Sequence, residues 1–150
     1  MGQRSKAREV VLQVLYQDDL NPSASTDDRD WLLQRRLSKA EAFQFARRLL
    51  AGVRQHRSEI DRRLQQIASN WSLHRMAVTD RNILRLGAYE ILYGGTPGEV
   101  AIDEAVELAK RFGTAQSPQF VNGILDRLLH TAAQQATEPT QPDTQVPGLP

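Results

Sequence analysis

An all-α fold of six or seven helices is what this sequence predicts, and three features predict it. Apolar residues recur every three to four positions from about Arg4 to Ala133, and prolines or glycines punctuate that pattern at helix-length intervals. No segment shows the period-2 alternation that a half-buried strand requires. With 150 residues, 40% hydrophobic and 25% charged, the chain also has the size and composition of one core-forming domain.

The first helix places Ala7, Val11, Val14 and Leu15 on one stripe, broadened by Val10 and Leu12, and closes at Asn21-Pro22. After a polar loop, Asp27 or Asp28 caps a short segment carrying Trp31, Leu32 and Leu33. Ser38-Lys-Ala-Glu41 has the form of a capping box, with Ala42, Phe45, Ala46, Leu49, Leu50 and Val53 following at helical spacing. Ser58-Glu-Ile-Asp61 resembles a second start of the same kind, leading into Ile60, Leu64, Ile67, Ala68 and Trp71. Thr79 is the expected cap of the next helix, whose apolar residues Ile83, Leu84, Leu86, Ala88, Ile91 and Leu92 cover most of its circumference. Such a helix belongs in the middle of a bundle, and Gly87 within it marks a close crossing. Gly94-Gly95-Thr96-Pro97-Gly98 breaks the chain. Ile102, Ala105, Val106 and Ala109 form the following stripe, ended by Gly113. Ser117 as cap with Pro118 in the first turn opens the last helix, with Val121, Ile124, Leu125 and Leu128 inside. Residues 136–150 hold four of the seven prolines and no apolar face; they are expected to form a disordered tail behind a domain spanning 1–135.

The net charge of +1 conceals an asymmetry. Residues 1–75 carry 14 Lys and Arg against 9 Asp and Glu, residues 76–135 carry 5 against 7, and the last 15 residues carry 0 against 2. A basic first half favours an anionic partner on one side. Arg4, Lys6 and Arg8 sharpen this expectation, because cations in a first helical turn oppose the macrodipole. A phosphate-bearing ligand accounts for them where helix stability does not. The absence of cysteine excludes disulfides and thiolate metal sites and suits a reducing compartment. No stretch approaches the roughly 20 apolar residues of a membrane span, and the N-terminus lacks a signal-peptide pattern, so a cytoplasmic protein is expected.

Catalytic chemistry finds no foothold. His56, His74 and His130 lie on different elements without metal-ligand spacing, and Asp103, Glu104 and Glu107 read as first-turn acids that complement a helix dipole. With no strand there is no phosphate loop, and no cofactor is expected. A helical DNA-binding repressor is the competing class. It requires a recognition helix with exposed polar readers, a role for which the helix after Thr79 is too apolar.

Several segments carry a family resemblance: Arg4-Ser-Lys-Ala-Arg8 with Gln13-Val-Leu-Tyr16, Asp80-Arg-Asn-Ile-Leu-Arg85-Leu with Tyr89-Glu90, Val100 through Gly113, and Phe120-Val-Asn-Gly-Ile-Leu-Asp126. In this order, over about residues 4–130, they resemble the transcription antitermination factor NusB family. The resemblance implies two packed three-helix bundles and a part in transcription of ribosomal RNA operons. It implies binding to single-stranded boxA RNA together with NusE, a small ribosomal subunit protein, in an RNA polymerase elongation complex with other Nus factors. It implies neither catalysis nor cofactor, and leaves monomer or homodimer open. The same module stands at the head of certain ribosomal RNA cytosine methyltransferases, ahead of a cofactor-binding domain. These 150 residues contain no such domain, so methyl transfer is not expected.

Carried over by position, the resemblance assigns Arg4, Lys6 and Arg8 to RNA phosphates, as their opposition to the dipole also suggests. Tyr16, Lys110, Phe112 and Phe120 fall in matching segments and offer stacking faces or charge to an unpaired strand, although Tyr16 and Phe120 have an equal claim to the core. Gln116 stands in a loop where some relatives carry an acid, and Ser5 interrupts an arginine run. Arg81, Arg85 and Glu90 are expected to orient the bundle through buried or half-buried ion pairs.

Overall fold

A computed structural model describes residues 2–22 and 25–137. Among these residues there are six α-helices, one short 3-10 turn at Leu73–Arg75, and no strand. The helices are α1 (Gln3–Leu20), α2 (Thr26–Arg36), α3 (Ala40–Ile67), α4 (Val78–Leu92), α5 (Gly98–Phe112) and α6 (Ser117–Thr137). Helices α1, α2 and α3 pack on one another, as do α4, α5 and α6. The two triples join where α4 meets α1 and α3, with α6 also touching α3. No helix among the described residues is long and apolar enough to cross a membrane.

The apolar stripes read from the sequence are the ones that are buried. Ala7, Val10, Val11 and Val14 of α1 are wholly enclosed, as are Ile83, Leu84 and Ala88 of α4 and Val121, Leu125 and Leu128 of α6. Every residue of α4 from Asn82 to Ala88 is buried, so α4 cannot lie in a DNA groove as a recognition helix. Gly87 permits the crossing it was expected to mark: a Cβ there would stand 2.6 Å from Leu125 Cδ1 and 3.4 Å from Ala105 Cβ.

Several helix boundaries differ from those expected. The anticipated start at Ser58 does not exist, and α3 runs unbroken for 28 residues. Phe45, Leu49, Val53, Ile60 and Leu64 stay in phase as one buried stripe, and burial outweighs a local capping signal. Asp61 turns its carboxylate to Arg85 and Glu59 pairs with Arg62. Ser38 does not cap α3, because Lys39 occupies that position and caps nothing with its side chain. Likewise Ala77 precedes α4, and Thr79 lies inside the first turn. The Ser117 hydroxyl accepts a hydrogen bond from the Thr114 amide at 2.9 Å, tying down the α5–α6 loop. Trp71 was expected on the α3 stripe but is 61% exposed beyond the helix end. The last helix continues to Thr137, two residues into the segment expected to be tail, and the remainder of that segment lies outside the described residues.

Arginine–carboxylate pairs fasten the triples together. Asp18 and Asp19 end α1, where acids oppose the dipole, yet both are enclosed by cations from other helices. Asp18 accepts from Arg29 Nε and Arg54 Nε, each at 2.8 Å. Asp19 accepts from Arg57 and Arg85 at 2.8 Å, Arg81 at 3.1 Å and the Asn82 amide at 2.8 Å. Arg85 reaches onward to Asp61 at 2.8 Å. The expectation for Arg81, Arg85 and Glu90 holds, and Glu90 takes Arg8 as its partner.

Candidate nucleic-acid interface

The basic first turn of α1 divides three ways. Successive helical residues are about 100° apart, so Arg4 and Lys6 project from nearly opposite sides. Arg4 leans toward α3, its guanidinium 4.7 Å from the centre of the Phe45 ring. Lys6 is exposed on the outer side, in line with Gln13 and Gln17. Arg8 points inward and corrects the expectation of a phosphate contact: it is 4% exposed, and its Nη2 and Nε donate to Glu90 at 2.7 and 2.9 Å. A guanidinium so enclosed and so neutralised presents no charge to a ligand. Ser5, between the cations, donates its hydroxyl to Glu104 at 2.9 Å.

The aromatic candidates are better placed than the sequence could show. Tyr16 from α1 and Phe112 from the end of α5 are 36% and 40% exposed and line one groove of about 450 Å³. Gln13, Gln17, Arg36 and Thr79 complete its walls. Glu9 at its edge draws in both Arg36 and Arg111, the latter at 3.0 Å, which holds α2 and the end of α5 against α1. Lys110, two residues before Phe112 on α5, is exposed and pairs with Glu107 at 3.3 Å. A second groove begins on the other side of the α4 N-terminus, where Gln116 and Phe120 meet Trp71 and Arg75. Phe120 is half-buried and edge-on to Trp71, with ring centroids 5.8 Å apart. Phe120 therefore contributes both to the core and to the groove wall.

The structure thus brings together Tyr16 with Phe112 and Gln116 with Phe120 in adjoining grooves, and leaves Arg4 on a different side. Arg4 is also about 18 Å along α1 from Tyr16 at 1.5 Å per residue. Gln13, Arg36, Trp71 and Arg75 were missed as site residues. Gln13 stood inside a quoted motif, and the other three had no signal, because only the packing of α2 and of the α3–α4 connection on α1 and α6 brings them there.

A sequence model of the NusB family matches residues 5–130. This chain belongs to the NusB family. The transcription antitermination protein NusB of Elusimicrobium minutum is 42% identical over 131 residues, covering 85% of this chain and 94% of that protein. Among solved structures, NusB of T. maritima superposes with a TM-score of 0.79 at 38% identity, covering 89% of this chain and 94% of that one. A NusB solved with NusE and double-stranded RNA shares the fold, with a TM-score of 0.78 at 24% identity over 86% of this chain and 97% of that one. The match extends through both three-helix triples.

Proposed function

We propose that this protein is a cytoplasmic transcription antitermination factor that binds boxA RNA of nascent ribosomal transcripts jointly with NusE, acting by binding and not by catalysis. The observation that carries this reading is the NusB match, which spans both helical triples and joins the chain to relatives named transcription antitermination proteins. A related fold solved with NusE and RNA supports the choice of partners.

The geometry suits the task. Tyr16 and Phe112 line an open groove with partly exposed rings, Arg111 lying over the Phe112 ring at 5.1 Å, with Gln13 and Gln17 beside them as hydrogen-bonding groups and Lys6 in the same row of α1. Unpaired bases stack on such rings, whereas duplex bases are already stacked and unavailable. Gln116, Phe120 and Trp71 extend the same surface, and Arg4 supplies a phosphate contact on the α3 side. In this reading residues 2–137 are the binding domain and the remaining residues are dispensable for it. Glu99, Asp103 and Glu107 stand exposed in one row along α5, in the half of the chain with net negative charge, and suit a basic ribosomal protein.

A few exposed cations and two stacking sites give weak, sequence-tolerant binding by themselves. Joint presentation with NusE makes the second contact effectively intramolecular. The test is titration of labelled boxA single strand with the protein alone and with NusE, against scrambled RNA and duplex DNA. BoxA affinity is expected to rise at least about ten-fold with NusE, a coupling of about 1.4 kcal/mol that must appear equally in the protein–protein affinity. Unchanged boxA affinity with NusE bound, or preference for duplex DNA, rejects the reading.

A further inference from the structure

The outer face of α2 and the first half of α3 carries a pattern that the interface above leaves unused. Arg35 lies over Trp31 at 4.8 Å from the ring centre, and Arg47 lies over Phe43 at 5.8 Å. Between these two pairs runs a groove of about 590 Å³. Trp31 is 52% exposed, an unusual place for an indole, and Arg35 lies over its ring.

The charges on this face are sorted. Arg29, Arg36, Arg54 and Arg57 are each consumed by an aspartate or glutamate. Arg35, Lys39, Arg47 and Arg48 are all exposed, and among the described residues none of them forms an ion pair. Of the two aspartates that line the groove, Asp30 is neutralised by Arg54 at 2.9 Å and Asp27 stands exposed. Set against Asp27, the four unpaired cations leave the face net positive beside two aromatic rings.

This face is also continuous with the site already described. Arg47 and Arg48 are neighbours on the crest of α3. Arg48 lines the hollow that holds Arg4 and Phe45, and Arg47 lines the α2–α3 groove. Three guanidinium-over-ring pairs thus follow one another: Arg4 on Phe45, Arg47 on Phe43 and Arg35 on Trp31. Phe45 is buried, so Arg4 offers only its charge there, whereas half-buried Phe43 and exposed Trp31 with their guanidinium groups offer stacking surfaces and phosphate partners to an unpaired strand. An acidic peptide would use the charges but has no need of the rings.

We propose that the α2–α3 face is a second contact for single-stranded RNA, taking unpaired nucleotides that flank the segment held by the Tyr16–Phe112 groove. The proposal rests on the RNA-binding reading above. It makes the protein a track about two helices wide for nascent transcript, not a clamp on one short element.

The experiment uses the full chain, whose tryptophans are Trp31 and Trp71, with Trp31 emission read as the difference between the parent and Trp31→Phe. A boxA core strand is compared with the same strand carrying ten uridines at the 5′ or the 3′ end. One of the two extended strands is expected to bind about ten-fold tighter than the core. It should also show a salt slope steeper by about 1.4, at ~0.7 for each of two added phosphate contacts, and quench Trp31 emission, which the core does not. Arg35→Ala with Arg47→Ala should return the extended strand to core affinity and leave the core unchanged, and annealing the extension to its complement should abolish the gain. No gain from either extension, or equal losses for core and extended strands in the double variant, overturns the proposal. Quenching by polyglutamate as strong as by oligouridine overturns it in favour of an acidic protein partner. If the core fails to bind even with NusE present, the antitermination reading falls. Oligouridine alone then decides this face, by quenching Trp31 in the parent and not in the double variant, or by leaving it unquenched.

Discussion

Replacing Arg8 with alanine should unfold this protein far more than it should weaken RNA binding. Arg8 and Glu90 are 4% and 2% exposed at their side chains and joined by three hydrogen bonds of 2.7–3.1 Å, with Thr96 Oγ1 donating to the same carboxylate at 2.9 Å. Removing one partner of a buried pair strands the other charge away from water, at about 3–5 kcal/mol. For a chain of this length each kcal/mol moves the melting temperature by roughly 2–4 °C, so Arg8→Ala should melt about 6–20 °C lower. The assay is thermal and urea unfolding followed by circular dichroism, with Arg8→Met, Glu90→Leu and the double variant of these two completing a cycle. Because an apolar pair of similar volume replaces the charges, the double variant should lose much less than Arg8→Ala, and much less than the sum of its two single variants. RNA titrations run well below the lowered melting point should give the parent salt slope. An Arg8→Ala protein that loses under ~1 kcal/mol of stability while its salt slope flattens by about 0.7 would refute the argument and return Arg8 to the RNA surface.

The other expectations follow from the same structure. Arg4→Ala with Lys6→Ala should flatten the salt dependence of boxA binding by about 1.4, two contacts at ~0.7 each, with unchanged or slightly raised stability because the helix dipole is relieved; an unchanged slope removes both from the site. Burial pushes the Asp19 carboxyl up, but the Asn82 hydrogen bond, the Arg85 charge and hydrogen bond, and the Arg81 hydrogen bond outweigh it and hold it below its usual 3.8. A lowered folded value means its contribution is complete above 3.8 and is lost as pH falls through the lower folded value, so Asp19→Asn should be less stable at neutral pH and show a shallower loss of stability on acidification, read from urea midpoints across that range. Gly87→Ala should destabilise by up to about 2 kcal/mol in thermal melts, as the ~1–3 kcal/mol of overpacking against Leu125 exceeds the ~1 kcal/mol that helix propensity returns; a stabilised variant would show that the crossing is loose. A chain ending at Thr137 should keep the parent melting temperature and boxA affinity, and a cooperative loss of structure would move the domain end.

Legibility in the sequence followed the range of the interaction. The helices of this chain were readable because each advertises itself locally, through stripes such as Ala7-Val11-Val14 or Val121-Leu125-Leu128 that depend only on periodicity. The split wrongly expected at Ser58 came from the same locality: a capping-box sequence says what a helix end needs, but whether α3 ends there is decided by Ile60 and Leu64, which bury fully only if the stripe runs on. The site was less legible, since charge in a sequence has no side. Arg4, Lys6 and Arg8 look like one basic turn, yet helical geometry sends them to three environments, and only Glu90, 82 positions away, reveals that Arg8 is structural. The reverse error befell Trp71, where an apolar residue was credited to the core by type and the fold leaves it at the surface. Both errors concern the same quantity: the cost of a charge or a ring at a position is set by neighbours that the chain brings from tens of residues away. The unsatisfied remainder after those neighbours are counted is the part of the molecule available to a ligand. In this protein that remainder is two surfaces, the Tyr16 groove with Lys6 on its row of α1 and the line of unpaired cations from Arg4 to the open ring of Trp31 on α2, and it is on these, not on the density of arginine in the sequence, that RNA contacts should map.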